Sequence, residues 1–367
     1  MEAGCGVPAA AGGAGVPSAI GLHPRPVGRR LHARRGTGIG VKRLRVGCVG
    51  AGFIAGEHLR ALAGFDDVDV VAVADTVPER AEQAAARYGS RPYGDGLALL
   101  DSEELDAVWL CVPPFAHGAL EVSALNRGLP FFLEKPLALD LPIAQEVAHQ
   151  VAAAALTTAV GYHWRHLDLV QGAAELLSQT PAQLVTGYWL DKTPRVSWWA
   201  QRAYSGSQVI EQTTHIFDLA RTLAGEVVSV AAAERPSPDG HGDVPATASA
   251  LLRFGSGAVG SISSARVLGW RHRVALHVVA EDLVVEISER GLTDHELRVV
   301  TADGEEVLRS EENPIVAEDR EFLDVLLGRA PQVRVPYQEA LRTHAVACAA
   351  DRAARDGITV TLAEGMA

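Results

Sequence analysis

Lysine is almost missing from this chain: of 33 basic residues only Lys42, Lys135 and Lys192 are lysines, and the rest are arginine. Arginine-biased codon usage alone would give that balance. A lysine kept inside a motif nevertheless points to a need for an amine that can titrate, because a guanidinium cannot give up its proton. Cysteine is equally scarce. The four (Cys5, Cys48, Cys111 and Cys348) have no metal-ligand spacing, and two of them sit in apolar, strand-like runs. That argues against a disulfide framework and leads to the expectation of a reducing, cytoplasmic setting. No stretch of about 18 apolar residues free of charge occurs, so no membrane partner is expected.

The net charge of −12 is unevenly placed. Residues 1–45 hold eight basic residues and one acidic residue, Glu2, which leaves 25 basic and 44 acidic residues in the remainder. So acidic a body repels a phosphate backbone, and nucleic acid is not expected as a partner. Residues 1–40 are rich in Gly, Ala, Pro and Arg without hydrophobic periodicity, and read as a disordered extension. A secretory signal is not expected there, because no continuous apolar stretch follows a basic start.

From Arg43 onward, short apolar runs alternate with helical segments. Leu44–Val49, Val68–Ala74, Ala107–Val112, Pro130–Leu133 and Thr157–Tyr162 read as strands. Between them Ile54–Ala63, Pro78–Tyr88, His117–Arg127 and Pro142–Ala154 read as helices. That alternation predicts βαβ units and a parallel sheet. Beyond residue 182 the strands are longer and more β-branched: Leu184–Leu190, Val227–Glu234, Ala246–Phe254, Gly257–Arg266, Arg273–Ala280, Leu283–Ser288 and Glu296–Thr301. Gly and Asp-Gly turns join several of them, which predicts a large, mostly antiparallel sheet. Helices are expected at Thr214–Leu223, Ala317–Leu327 and Gln338–Arg355. The fold class is therefore α/β. Two domains are expected, a Rossmann-type α/β domain over 41–162 and an α+β domain over 163–367.

The segment Val49-Gly50-Ala51-Gly52-Phe53-Ile54-Ala55 is a G-x-G-x-x-A fingerprint between a predicted strand and a predicted helix. Gly50 permits the tight turn, Gly52 lets a pyrophosphate approach the backbone, and Ala55 keeps the helix close to the strand. The helix start at Phe53 and Ile54 supplies unpaired N–H groups to phosphates. Asp75 ends the next strand, 20 residues past Ala55. A carboxylate there accepts from ribose hydroxyls and repels a 2′-phosphate, so NAD is expected over NADP. Thr76 and Arg80 leave some room for the latter. A ligand-free tight turn would use the same glycines, but the strand and helix on either side weigh against it.

Two further motifs follow predicted strands: Cys111-Val112-Pro113-Pro114-Phe115-Ala116-His117 and Glu134-Lys135-Pro136. Together with the fingerprint, with Gly206–Asp218 and with the spacing of Glu318, Phe322, Gly328 and Pro331, they resemble the glucose–fructose oxidoreductase / inositol dehydrogenase (Gfo/Idh/MocA) family over essentially residues 43–364. The resemblance implies NAD(P)-linked chemistry on sugars, polyols and related molecules. It places Val112, Pro113, His117 and Glu134 at the dinucleotide, and Lys135 beside both nicotinamide and substrate. An ammonium there stabilises a developing alkoxide and can shuttle a proton. A lysine at a strand end could instead be a surface residue, although the carboxyl edge of a parallel sheet is where ligands bind.

Glu211 and His215 are spaced i, i+4 and would share one helical face. The carboxylate would then orient or relay protons for an imidazole acting as general base. Glutamate at 211 departs from the aspartate common in the family, and the extra methylene changes its reach. An isolated histidine is more often a satisfied core residue, and here the spacing favours the functional reading. Trp164, Arg165, Trp199 and Thr214 are expected around the substrate, with Arg165 equally able to serve a structural ion pair. His163 and His166 have the i, i+3 spacing of a metal pair, but no further ligand signature accompanies them, so no metal is expected.

The expected activity is that of a dehydrogenase acting on a sugar, polyol or glycoside CH–OH group. A keto-sugar reductase, an NAD-assisted glycosidase and a non-catalytic dinucleotide sensor are the alternatives. A homodimer or homotetramer through the C-terminal sheet is expected.

Overall fold

The computed structural model describes residues 43–238, 242–310 and 312–362. The predicted disordered extension over 1–40 lies outside them. Six parallel strands form the first sheet: β1 (Leu44–Val49), β2 (Val68–Ala74), β3 (Arg91–Tyr93), β4 (Ala107–Leu110), β5 (Phe131–Leu133) and β6 (Thr158–Val160). Their order is β3-β2-β1-β4-β5-β6. This is the doubly wound arrangement whose ligand crevice lies beyond the carboxyl ends of the strands, where the order reverses between β1 and β4.

Apolar side chains cover both faces, as a buried parallel sheet requires. Leu110, Phe131 and Leu133 face one cluster, while Val46, Trp109 and Phe132 face another. Phe322 and Leu323 of the helix Pro314–Leu326 join the second cluster, so the C-terminal part of the chain completes the core of the first sheet.

The second sheet contains β7 (Leu184–Leu190), β8 (Val227–Arg235), β9 (Thr247–Phe254), β10 (Val259–Ala265), β11 (Arg273–Ala280), β12 (Leu283–Gly291), β13 (Asp294–Thr301), β14 (Gly304–Arg309) and β15 (Thr359–Thr361). It is antiparallel except where β7 and β10 run parallel. Alternating burial, as in β9 and β12, shows one face packed on the core.

The helix Thr214–Ala224 lies on that face and is buried almost all round. Gly187 of β7 permits the close approach: a Cβ there would come within 2.5 Å of Ile216 and 2.9 Å of Leu276. Because the helix is enclosed, its charged residues need internal partners. Asp218 accepts a two-pronged ion pair from Arg165, and Arg221 donates one to Glu226.

Several expectations shift. The third strand stops at Leu110 instead of Val112, because Pro113 and Pro114 lead into a 3-10 turn over Pro114–Ala116. The following helix begins at Ala119 and not at His117. Strand β6 covers only Thr158–Val160. The edge strand β3, the helices Gly96–Ser102 and Asp168–Gln179, and strands β14 and β15 were not anticipated.

Candidate active site

The turn after β1 begins at Gly50, whose φ is +100° and where a Cβ would lie 2.1 Å from the Cys111 carbonyl oxygen. No residue with a side chain fits there. Gly52 then caps the helix Phe53–Leu62 without a side-chain hydrogen bond, and no acidic residue stands in the first turn. The first N–H groups of this helix therefore remain available to an anion. Asp75 closes the cradle. Its carboxylate accepts from the Ala51 N–H at 2.9 Å and the Val77 N–H at 2.8 Å, which fixes it at the tip of β2.

A cavity of about 530 Å³ runs from this cradle to the second domain. On one side it is lined by Gly50, Gly52, Ile54, Asp75, Val112 and Pro113, and Phe53 stands 77% exposed at the same wall. Glu134, Lys135, Glu211, His215 and Trp199 line it as well. A glycine turn without a Cβ, free helix N–H groups and a fixed strand-end carboxylate facing one cavity are the features a dinucleotide requires, and the residues present fit that group.

Lys135 leaves the end of β5 and crosses to the second domain. Its Nζ donates to the Glu211 backbone carbonyl at 2.7 Å and lies 3.4 Å from the Glu211 carboxylate. The other oxygen of that carboxylate accepts from Trp199 Nε1 at 2.6 Å. Glu211 is thereby held between a cation and an indole.

Beneath Lys135, a buried chain of hydrogen bonds fixes the strand end. Glu134 Oε2 accepts from the Lys135 N–H at 3.1 Å, and its Oε1 lies 3.0 Å from His58 Nε2. His58 Nδ1 in turn meets Asp319 at 2.8 Å. Burial works against charge on His58, but Asp319 and Glu134 outweigh it and hold the ring well above its ordinary value.

His215 packs parallel to the Trp189 indole, with ring centroids 5.8 Å apart, and meets His163 edge-on at 4.9 Å. Burial, reinforced by the Lys135 ammonium and His163, keeps its pKa well below the usual histidine range. At neutral pH the ring is therefore uncharged and able to accept a proton.

The structure separates the anticipated residues into two groups. Gly50, Gly52, Phe53, Ile54, Asp75, Val112, Pro113, Glu134, Lys135, Trp199, Glu211 and His215 meet in one cavity. The other four anticipated residues stand behind its walls. His117 is buried against Glu121 at 2.6 Å, and Trp164 donates to Glu289 at 2.9 Å. Arg165 is committed to Asp218 at 2.7 Å and Glu339 at 2.9 Å, so of its two readings the ion pair is the one realised. Thr214 shares a 2.8 Å hydrogen bond with the Tyr162 hydroxyl.

Glu211 and His215 do not share a helical face. The helix Gln208–Glu211 ends before a new one begins at Thr214, and the two side chains converge through that break. His163, Trp189, Arg271 and Glu289 also line the cavity. Of these only His163 carried a signal in the sequence, and it was one of spacing to His166.

The fold and the cradle define a dinucleotide-binding oxidoreductase. Residues 44–162 match the model of the oxidoreductase family with an NAD-binding Rossmann fold, and residues 182–285 match the GFO/IDH/MocA C-terminal domain. The chain belongs to the Gfo/Idh/MocA family, as its motifs implied. It is 28% identical to the inositol 2-dehydrogenase of Rhizobium meliloti over 270 residues, 71% of this chain and 80% of the relative. It is 26% identical to the scyllo-inositol 2-dehydrogenase (NAD(+)) of Bacillus subtilis, over 65% of this chain and 72% of the relative. Among solved structures, a levoglucosan dehydrogenase in complex with NADH superposes with a TM-score of 0.79 at 20% identity, covering 88% of this chain and 99% of that one. A myo-inositol dehydrogenase described from Sinorhizobium meliloti superposes at 0.72 with 26% identity, covering 87% and 100%. Among the described residues no helix is long and apolar enough to cross a membrane.

Proposed function

We propose that this chain is an NAD-dependent dehydrogenase that oxidises a secondary hydroxyl of a sugar or polyol. The observation that carries the reading is the convergence of Lys135, Glu211 and a neutral His215 on the cavity that also holds the dinucleotide cradle. The names of the relatives support the substrate class. When bound, the dinucleotide supplies the hydride acceptor. Gly50, Gly52 and the helix start at Phe53 would hold its phosphates, and Asp75 would take its ribose hydroxyls and disfavour a 2′-phosphate.

The protein's own groups handle the proton and the charge. His215, kept neutral by burial at neutral pH, has a free lone pair with which to accept the hydroxyl proton. The Lys135 ammonium faces the alkoxide that develops on the substrate oxygen, and a cavity wall shields that interaction from water. Glu211 keeps the ammonium aimed. Trp198 offers an apolar face to the carbon side of a sugar ring.

The test is a screen for NAD reduction over sugars, inositols and glycosides, with NADP in parallel. Reduction of NAD by a sugar or polyol supports the reading. A strong preference for NADP would overturn the role given to Asp75, and inertness across all three substrate classes would overturn the substrate assignment.

A further inference from the structure

Beside the cavity stands a group of side chains that the proposed reaction leaves unused. His163 comes from the 3-10 turn after β6, Glu289 from β12 and His295 from β13. One potential ligand atom from each lies within 4.8 Å of the other two, and all three residues are buried. We propose that His163, Glu289 and His295 form a binding site for one first-row transition dication of the zinc type, with an open coordination position toward the substrate cavity.

The nitrogen atoms carry the argument. His163 Nε2 and both ring nitrogens of His295 are buried without a hydrogen-bond partner. His295 is fully enclosed, at 0% exposure. Buried polar groups are almost always satisfied, so rings with orphaned nitrogens that each place one ligand atom in this cluster call for an occupant that accepts a lone pair. A neutral imidazole presents one such lone pair, the form in which histidine binds a metal.

The carboxylate is prepared in the complementary way. Glu289 is likewise buried, at 3% exposure, and its carboxylate is held by two donors. Trp164 Nε1 donates to Oε2 at 2.9 Å and Arg271 donates to Oε1 at 2.5 Å. Such outer contacts orient a ligating carboxylate. Oε2 stands 3.7 Å from His295 Nε2, close to the roughly 3.4 Å that separates two ligands on a tetrahedral ion with bonds of about 2.0–2.1 Å.

Two imidazoles and one carboxylate select zinc and its first-row neighbours over magnesium or calcium, which want oxygen ligands. Three protein ligands leave a fourth position, as in sites where a metal acts on a bound molecule. His163 and Glu289 both line the cavity, so that position opens to substrate or water. His215 stacks edge-on against His163 at 4.9 Å and places the ion next to the proposed base. His163 lies more than a hundred residues from Glu289 and His295 along the chain, so no local spacing in the sequence reports the full set.

The inference stands on this cluster and not on the assigned reaction, and metal uptake is read without turnover. The full chain would be stripped with chelator and titrated with Zn²⁺ by calorimetry and with Co²⁺ by visible absorption. One ion per chain should bind, with the ligand-field bands of a low-symmetry nitrogen–oxygen site. His295→Gln and His163→Gln should each weaken uptake by more than the roughly 100-fold that loss of an outer contact can cost. His272→Gln, an exposed histidine outside the cluster, should leave uptake unchanged, and NADH binding reports that each variant is folded. Absence of saturable one-to-one binding in the unsubstituted chain overturns the proposal even if a variant fails to fold. Uptake that survives both cluster substitutions overturns it as well.

Discussion

The Nζ of Lys135 donates to the backbone carbonyl of Glu211 at 2.7 Å, tying the carboxyl end of β5 to the second domain across the cavity. Lys135 is 14% exposed, and the Glu211 carboxylate stands 3.4 Å away. An ammonium held in this way is aimed before substrate arrives. Lys135→Ala should lower turnover by about 10²–10⁴-fold, the range for loss of a positioned acid or base. Dinucleotide affinity, read by quenching of protein fluorescence, should stay within a few-fold of the unsubstituted value. An unchanged turnover would remove Lys135 from the chemistry.

Trp199 acts through Glu211 rather than on substrate, since its indole nitrogen is spent on that carboxylate at 2.6 Å. Trp199→Phe keeps the ring and loses only this hydrogen bond, worth about 1.5–3 kcal/mol to a charged partner. Turnover should fall about tenfold. Combined with Glu211→Gln, the losses should be less than additive, because both changes disturb one network. Fully additive losses in the double variant would separate the two residues.

Arg165 belongs to the scaffold. Its replacement by Met leaves Asp218 buried with Thr343 as its remaining partner. Breaking one side of a buried ion pair costs about 3–5 kcal/mol. Thermal unfolding of Arg165→Met should show that loss, and the folded fraction should keep its substrate KM. A raised KM with unchanged stability would return Arg165 to the substrate site.

Acid should destabilise the fold through its buried histidines. His163 and His344 titrate at about 4 and His166 at about 3, each lowered from 6.5 mainly by burial. Below pH 6.5 the unfolded chain takes up protons that the folded chain refuses. The stability these rings contribute is therefore complete above pH 6.5 and is lost as pH falls toward 4. Each contributes a slope of about 1.4 kcal/mol per pH unit in that window. His58, held above its ordinary value, works in the opposite sense and loses its contribution only as pH rises through that higher value. Unfolding midpoints should drop between pH 6.5 and 4, and His344→Gln should flatten the fall. A midpoint that does not move across this window would contradict the buried, neutral assignment.

Legibility in the sequence followed how local the physical cause was. The fingerprint from Gly50 to Ala55, Asp75 at the tip of β2, and Lys135 after β5 could be read because strand, turn and helix each leave a short-range pattern. Strands β1 and β2 fell where their apolar runs end. Strand β3 was missed because three residues containing Pro92 make no pattern at all. The helix Asp168–Gln179 was overlooked although Leu169, Val170, Ala173 and Leu177 are spaced for one buried face.

The site residues divide in the same way. Trp164, Arg165 and Thr214 sit in segments that reach the site, yet their side chains turn away to Glu289, Asp218 and Tyr162. Only tertiary packing sets that direction. Glu289 and Trp189 come from strands whose alternation reports burial and says nothing of what lies opposite, and Arg271 comes from the loop before β11.

The account turns on whether hydride leaves a sugar or polyol carbon for the dinucleotide in this cavity. The direct measurement follows deuterium from a carbon-deuterated substrate, chosen by the screen above, into the dinucleotide by mass spectrometry. The unsubstituted chain should transfer the label, and Lys135→Ala should transfer it about 10²–10⁴-fold more slowly. Reduced dinucleotide free of deuterium, or equal transfer by the two proteins, would contradict the mechanism.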